Sequence, residues 1–464
     1  MNDRNPATLV NGEPQQSKPT RGEQLVKYIA GTSRRSYPPE ITEAALKALV
    51  DHLGCAVGAS NDAAARPARA VVERWRASGN ARVYIGGRTT PALAALANAS
   101  MAHAMDYDDT HAGGAGHPGG PCWSAALALA QEYDASEQET LAAFITGFDV
   151  MGKLGGGWVP GVGRSLQRRG WHPTSIFGRV GAAAAACVVL KLDEAQIANA
   201  LGVAATTAGG LVGSFGTHGK PFHSGKAAMD GILSAQLASE GFVAATHLYE
   251  LDQGLLDVLI QDRQVAPPTL DDFGKKWELL ENQIKPFASC RATHSAIQAA
   301  RTLADQVRGR KIAKVHAKVH PNALVTAGKT APRTPLEGKF SVPFCVALGL
   351  AGYRAVSSDF NETAFTDPAV ADIVPRVTLE SVADQPAWKA FLEVTLEDGQ
   401  RLEGECQCVL GHPDNPVAWD ALREKFEGLV EPVLGAERCE RLFQLGRNFL
   451  QPGSIGKLSE LLAG

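Results

Sequence analysis

The sequence predicts a mainly α-helical protein in which a large all-helical domain carries a smaller α+β lid domain. Three observations point there. Apolar residues recur at helical spacing from residue 22 to about 265, alternate with a period of two after about 285, and return to helical spacing from Pro413. The implied organisation is a disordered tail over 1–21, a helical domain over 22–284, a lid over 285–412, and C-terminal helices over 413–464 that rejoin the helical domain.

The first strong helix lies behind Pro38 and Pro39, where Ile41, Leu46, Leu49, Val50, Leu53 and Val57 build one apolar face. Pro91 opens another in ALAALANASMAHAM, and further helices are predicted over 123–133, 137–151, 174–191, 193–205 and 223–241. Stretches such as GRVGAAAAACVV are rich in small residues, which let helix axes approach closely. In the lid, 311–320 (KIAKVHAKVH) reads as a strand, and 391–408 as two strands around the turn Asp398-Gly399. NPVAWDALREKFEGLV and AERCERLFQLGRNFL are helical again.

Composition bounds the function. In 464 residues, a 45% hydrophobic share supports a sizeable core, and a 20% charged share excludes a disordered polyelectrolyte. The formal charge of −4 gives no field that would draw the chain to nucleic acid or to an anionic membrane. Eight cysteines without a CxxC fit free thiols in a reducing compartment, and the polar start of the chain lacks the apolar core of a signal peptide. The expectation is a cytoplasmic protein without nucleic-acid or membrane partners.

Four polar loops carry the chemistry. In HAMDYDDTHAGGAGHPGG (103–120), His103, Asp106 and Thr110 share a face if the helix persists. His117 is the candidate general acid or base, with Asp106 and Thr110 orienting the ligand or the imidazole. The alternatives are a capped helix end with Asp108 and Asp109 in solvent, or a divalent-cation site. In RRGWHPTSIFG (168–178), Pro173 holds His172 extended at a helix mouth beside Arg168 and Arg169, with Thr174 available as cap. Such a place suits an anion; the alternative is a cap motif around a partly buried histidine. GSFGTHGKPFHSGKAAMDG (213–231) fails as a phosphate loop, because Ser214 and Pro221 stand where glycine and a hydroxyl residue are needed. It leaves Lys220, followed by His223 and Lys226, as a carboxylate anchor or proton donor. In KPFASCRATH (285–294), Lys285, Cys290, Arg291 and His294 sit at the domain boundary, where Cys290 and His294 pair as thiolate and imidazolium or Cys290 is simply buried. An iron-sulphur cluster lacks its clustered cysteines, and a dinucleotide enzyme its GxGxxG.

Taken in order, DYDDTH with HPGG, GWHPTSIFG, GTHGKPFHSGKAA, KPFASCRATH and KFSVPF (339–344) make the chain resemble the MmgE/PrpD family over about residues 22–460. That family includes 2-methylcitrate dehydratases, cis-aconitate decarboxylases and iminodisuccinate epimerases. The resemblance implies a site in the cleft between helical domain and lid, a homodimer, and neither metal nor organic cofactor. It implies catalytic roles for Asp106, Thr110, His117, His172 and Lys220, and substrate contacts from Lys285, Cys290, Arg291 and His294, to which His223 is added. All three reactions place carbanion character beside a carboxylate, so the site needs cations and a base, and histidine supplies the base without a metal. The expected function is a cofactor-independent lyase of a small di- or tricarboxylate, in first place a 2-methylcitrate dehydratase-like hydro-lyase. The alternatives are an iminodisuccinate-type epimerase, a cis-aconitate decarboxylase-like enzyme, and a silent polycarboxylate binder. The resemblance places a histidine in the decarboxylase branch where this chain has Cys290, which counts against decarboxylation; SCxxxH with GWHPTS looks closer to the epimerase branch.

Overall fold

The computed structural model describes residues 18–464 apart from 115, 157–161, 251–252, 262–264 and 266–267; residues 1–17 of the expected tail lie outside the described residues. The helical part runs through α1 (Arg21–Ala30), α2 (Pro39–Gly58), α3 (Arg66–Trp75), α4 (Pro91–Ala104), α5 (Gly119–Tyr133), α6 (Glu137–Gly155), α7 (Val162–Arg168), α8 (Pro173–Val189), α9 (Glu194–Thr206) and α10 (Gly219–Ser239). Proline at the first helical position starts α2, α4 and α8, where its missing N–H costs nothing. Reciprocal capping boxes, Thr20 with Glu23, Ser136 with Glu139 and Asp193 with Gln196, start α1, α6 and α9.

Helix α10 lies against α4 and α8, and α8 in turn packs on α5 and α6. The small residues are what permit this. A Cβ on Gly147 of α6 would stand 2.5 Å from the Gly181 carbonyl of α8. Ala182 to Ala186 of α8 are fully buried, as an all-round apolar helix inside a large domain must be. Two helices begin earlier than their apolar pattern. α5 starts at Gly119 rather than 123, and α10 at Gly219 rather than 223, because their first turns carry Gly, Pro, Lys and His, which do not continue the apolar pattern.

Two short antiparallel pairs, β1 (Ala81–Arg82) with β2 (Arg88–Thr89) and β3 (Thr110–His111) with β4 (Asn282–Gln283), lie within the helical part. The lid holds a four-stranded sheet of β5 (Ile312–Val319), β6 (Val377–Ser381), β7 (Ala390–Leu396) and β8 (Arg401–Cys406), in the order β6-β5-β7-β8. β7 and β8 form the predicted hairpin, with Gly399 at φ 85° in its turn. β6 was not foreseen. It is an edge strand with mostly exposed residues, so burial imposes little pattern on it. Helices His294–Arg301 and Val342–Leu350 cover the sheet, and Ala296, Val346, Val315, Leu392 and Val394 make a second core.

The C-terminal helix Trp419–Leu434 packs on α2, and helix Ser454–Leu461 meets α5. No helix among the described residues is long and apolar enough to cross a membrane. Lys425 of the C-terminal helix reaches Asp51 of α2 at 2.5 Å and the Tyr107 carbonyl at 2.6 Å, all away from water. Lys425→Ala therefore leaves a buried carboxylate without its partner and should cost about 3 to 5 kcal/mol of stability. Denaturant unfolding checks it; a loss below about 1 kcal/mol with unchanged m contradicts the assignment.

Candidate active site

Helix α4 ends at Ala104 and the chain turns sharply, with Asp106 at φ 52°. His103, Asp106 and Thr110 thus do not share a helical face, contrary to the sequence expectation; the turn brings them together instead. Its cause is electrostatic. A helix C-terminus leaves carbonyls without partners and favours cations, and here lysines supply both needs. Lys339 Nζ donates to the Met105 carbonyl at 2.5 Å, Lys285 Nζ to the Asp106 carbonyl at 2.7 Å, and Lys425 Nζ to that of Tyr107 at 2.6 Å. The Asp106 carboxylate takes Lys220 at 2.5 Å and Lys285 at 3.0 Å on one oxygen, Oδ1. Burial alone would push this carboxyl up; Lys220 and Lys285 outweigh it and hold it well below the usual range.

β3 pairs with β4, which sets Thr110 opposite Gln283 and joins the first motif to the fourth. Thr110 Oγ1 donates to Gln283 Oε1 at 3.3 Å, and the same oxygen accepts from Arg291 Nε at 3.2 Å. The loop before His117 is pinned to the start of α8. Gly116 has φ 94°, and a Cβ there would meet Thr174 Oγ1 at 2.5 Å. Thr174 does not cap α8. His172 occupies the N-cap in the extended form that Pro173 imposes, and the Thr174 hydroxyl accepts the His117 N–H at 3.1 Å.

Asp108 and Asp109 are each 2% exposed, which overturns a solvated acidic cluster. Both are satisfied indoors. Asp108 accepts from His103 Nδ1 at 2.8 Å and lies 3.4 Å from His117 Nδ1; Asp109 accepts the Gly119 N–H at 3.1 Å at the start of α5. Burial pushes the His117 imidazole down to about 3, against the pull of Asp108, and Lys220 adds to the push. His172 goes the same way, for burial and for Lys220. Both rings are therefore neutral at pH 7, and His117, with Nδ1 turned to Asp108, is left to use Nε2 in the cavity.

That cavity, about 120 Å³, is walled by Asp106, Thr110, His117, His172 and Lys220 on the helical side and by Lys285, Cys290, Arg291, His320 and Trp388 toward the lid. Two nominated residues do not line it. His294 is fully buried, with Nε2 at 3.1 Å from the Ser289 carbonyl and Nδ1 at 3.1 Å from Arg291 Nη1. No thiolate pair with Cys290 results, and burial pushes the Cys290 thiol up. His223 stands behind His172, with the two Nδ1 atoms 3.0 Å apart. Arg168 and Arg169 are exposed; from this segment it is Arg164 of α7, one helical turn earlier, that joins Arg291 at the cavity, where the sequence carries no motif. His103 and Asp108 were also missed as working residues, although HAMDYDD displays both.

His103, Asp106, Asp108 and His117 bring ligand atoms within 4.8 Å of one another, a geometry that could hold a cation. Charge argues against one. Lys220 and Lys285 already place two positive charges on the single carboxylate of Asp106, so a divalent ion there would add to a buried excess of positive charge.

Depressed imidazole pKa values set a sign for pH dependence. A base held below its ordinary value stays unprotonated further into acid, so kcat/KM should remain level from pH 8 down to about 5. A pH profile that falls with a midpoint near the ordinary histidine value of about 6.5 contradicts this.

A family model described as the MmgE/PrpD N-terminal domain matches residues 23–268, and one described as the MmgE/PrpD C-terminal domain matches residues 287–449. Among curated proteins the chain is similar to the human cis-aconitate decarboxylase, 26% identical over 81% of this chain and 80% of that protein. It is also similar to a cis-aconitate decarboxylase of Aspergillus terreus, 25% identical over 95% of both chains, and to a cis-aconitate decarboxylase-like protein of Aspergillus oryzae, 23% identical over 95% of this chain and 97% of that protein. The chain belongs to the MmgE/PrpD family.

Proposed function

We propose that the protein is a cofactor-independent lyase of a small di- or tricarboxylate, working by histidine acid and base chemistry. The observation that carries this is the pairing of two neutral imidazoles, His117 and His172 with ring centroids 6.5 Å apart, with the Lys220–Asp106–Lys285 group on one cavity wall. One imidazole takes the proton beside a substrate carboxylate. Negative charge then develops on that carboxylate, where Lys220, Lys285 and Arg291 stabilise it. The second imidazole or Lys220 protonates the leaving hydroxyl, while Asp106 and Thr110 orient the donors. Elimination of water, as in a 2-methylcitrate dehydratase-like hydro-lyase, is the first reading; Cys290, in place of the histidine that the resemblance assigns to decarboxylases, favours it. Decarboxylation is the second, favoured by the names of the curated relatives. The proposal includes a homodimer in a reducing cytoplasm; all eight cysteines are free.

The test is NMR of 2-methylcitrate, citrate, cis-aconitate and iminodisuccinate incubated with the protein in deuterated water containing EDTA. Loss of water from a hydroxy acid supports the first reading, and loss of CO2 the second. Inverted stereochemistry alone identifies an epimerase. Failure to exchange any substrate C–H proton leaves a binder and sinks the lyase. On the substrate so found, Lys220→Ala should cost roughly ten- to a hundred-fold in kcat/KM, the equivalent of one charge-assisted hydrogen bond of about 1.5 to 3 kcal/mol. The variant should stay folded because Lys285 remains on Asp106 Oδ1. A melting curve beside the kinetics checks both halves.

A further inference from the structure

His223 does not line the cavity, yet from behind it holds His172, which does. Its Nδ1 lies 3.0 Å from His172 Nδ1. His172 is 2% exposed, whereas His223, one turn after Lys220 on α10, reaches partly into solvent. Two imidazoles joined through Nδ1 share one proton in that bond. Each ring therefore keeps its Nε2 for something else, His172 on the cavity that it lines and His223 at the partly exposed position that it holds on α10. The surrounding groups do not supply a competing partner. Lys220 pairs with Asp106, Arg179 and Lys226 with Asp230, and His103 with Asp108, while His117 faces Asp108. No carboxylate among the described residues touches either ring of the His172–His223 pair.

We propose that His223 is the proton relay of His172, carrying protons between the cavity and the solvent side of α10. The step balances without any other reagent. When His172 Nε2 takes a proton from substrate, its Nδ1 proton crosses to His223 Nδ1, and His223 releases its own Nε2 proton to water. Run backwards, the same path brings a proton from water to His172 Nε2 for delivery to a substrate carbon. A closed lid then need not open for each proton, which matters in a cavity where Lys220, Lys285 and Arg291 repel hydronium. The inference rests on the lyase reading for its kinetics but not for its hydrogen bond.

Two measurements test it separately. On the substrate identified above, His223→Gln keeps the size and hydrogen bonding but cannot carry a proton. It should lower kcat about tenfold or more with KM little changed, and His223→Ala should regain rate in proportion to added imidazole. An unchanged kcat, or a loss expressed in KM and unresponsive to imidazole, overturns the relay. Independently of any substrate, nitrogen-15 NMR of the wild type should show a coupling between the two Nδ1 nuclei, and its absence overturns the shared proton. A coupled pair in a protein that turns over nothing in the panel refutes the lyase reading and, with it, the relay's role. Turnover that His223→Gln leaves intact refutes the relay alone.

Discussion

The turn Met105–Asp106–Tyr107 is held by four lysines from four parts of the chain: Lys220 from α10, Lys285 from the start of the lid segment, Lys339 from the lid's KFSVPF, and Lys425 from the C-terminal helix. Each long side chain reaches one of three consecutive residues. Asp106 tolerates its left-handed backbone because aspartate is among the few residues for which that conformation costs little. Burying so many charges is expensive, and pairs of this kind add less to stability than to uniqueness of arrangement. In this molecule the uniqueness has a use: helical domain, lid and C-terminal helices all meet at one point, and that point is the wall of the cavity.

The charge count at this wall also shapes the chemistry. Lys220 and Lys285 share a single oxygen of one carboxylate, so the pair keeps one positive charge in excess, and Arg164 and Arg291 add to it. The cavity wall is thus cationic, and its imidazoles are neutral for two reasons that act together, burial and this excess charge. Under the proposed reading, a polycarboxylate would supply negative charge that opposes this field and raises imidazole basicity, so that the histidines would gain strength as bases on binding.

How much of this was legible in the sequence depends on what sets each feature. Helices such as α2 and α4 announced themselves, since proline at the first position and an apolar pattern are local. The β7–β8 hairpin did so through Asp398-Gly399. The starts of α5 and α10 did not, because the Gly, Pro, Lys and His of their first turns break the apolar pattern. At the site, motifs brought Asp106, Thr110, His117, His172, Lys220, Lys285, Cys290 and Arg291 to the cavity wall, where the structure places them. His294 misled, as a histidine in a motif has two nitrogens to satisfy and here the backbone and Arg291 satisfy them. Asp108 escaped because a run of three aspartates reads as surface charge; only the fold reveals two imidazoles and a helix N-terminus waiting for the last two. Lys339 and Lys425 escaped because their partners, the carbonyls of Met105 and Tyr107 and the carboxylate of Asp51, lie far off in the chain and no sequence pattern links them.

Cys290 is the point at which the two readings of the reaction separate. A thiol whose pKa is pushed up by burial stays neutral, and it is a weak hydrogen-bond partner beside Lys285 and Arg291. At its own position it adds neither a charge nor a strong hydrogen bond, while Lys285 and Arg291 on either side keep that wall cationic. A carboxylate held there meets the two cations but gains no comparable hydrogen bond from the thiol itself. An apolar substituent held there costs nothing. Under the hydro-lyase reading the small thiol takes the methyl of a hydroxy acid, whereas under the decarboxylase reading the site lacks the histidine that the resemblance assigns to that branch. What divides them is whether the proton delivered from His117 or His172 goes to a leaving hydroxyl or to the carbon that CO2 has left.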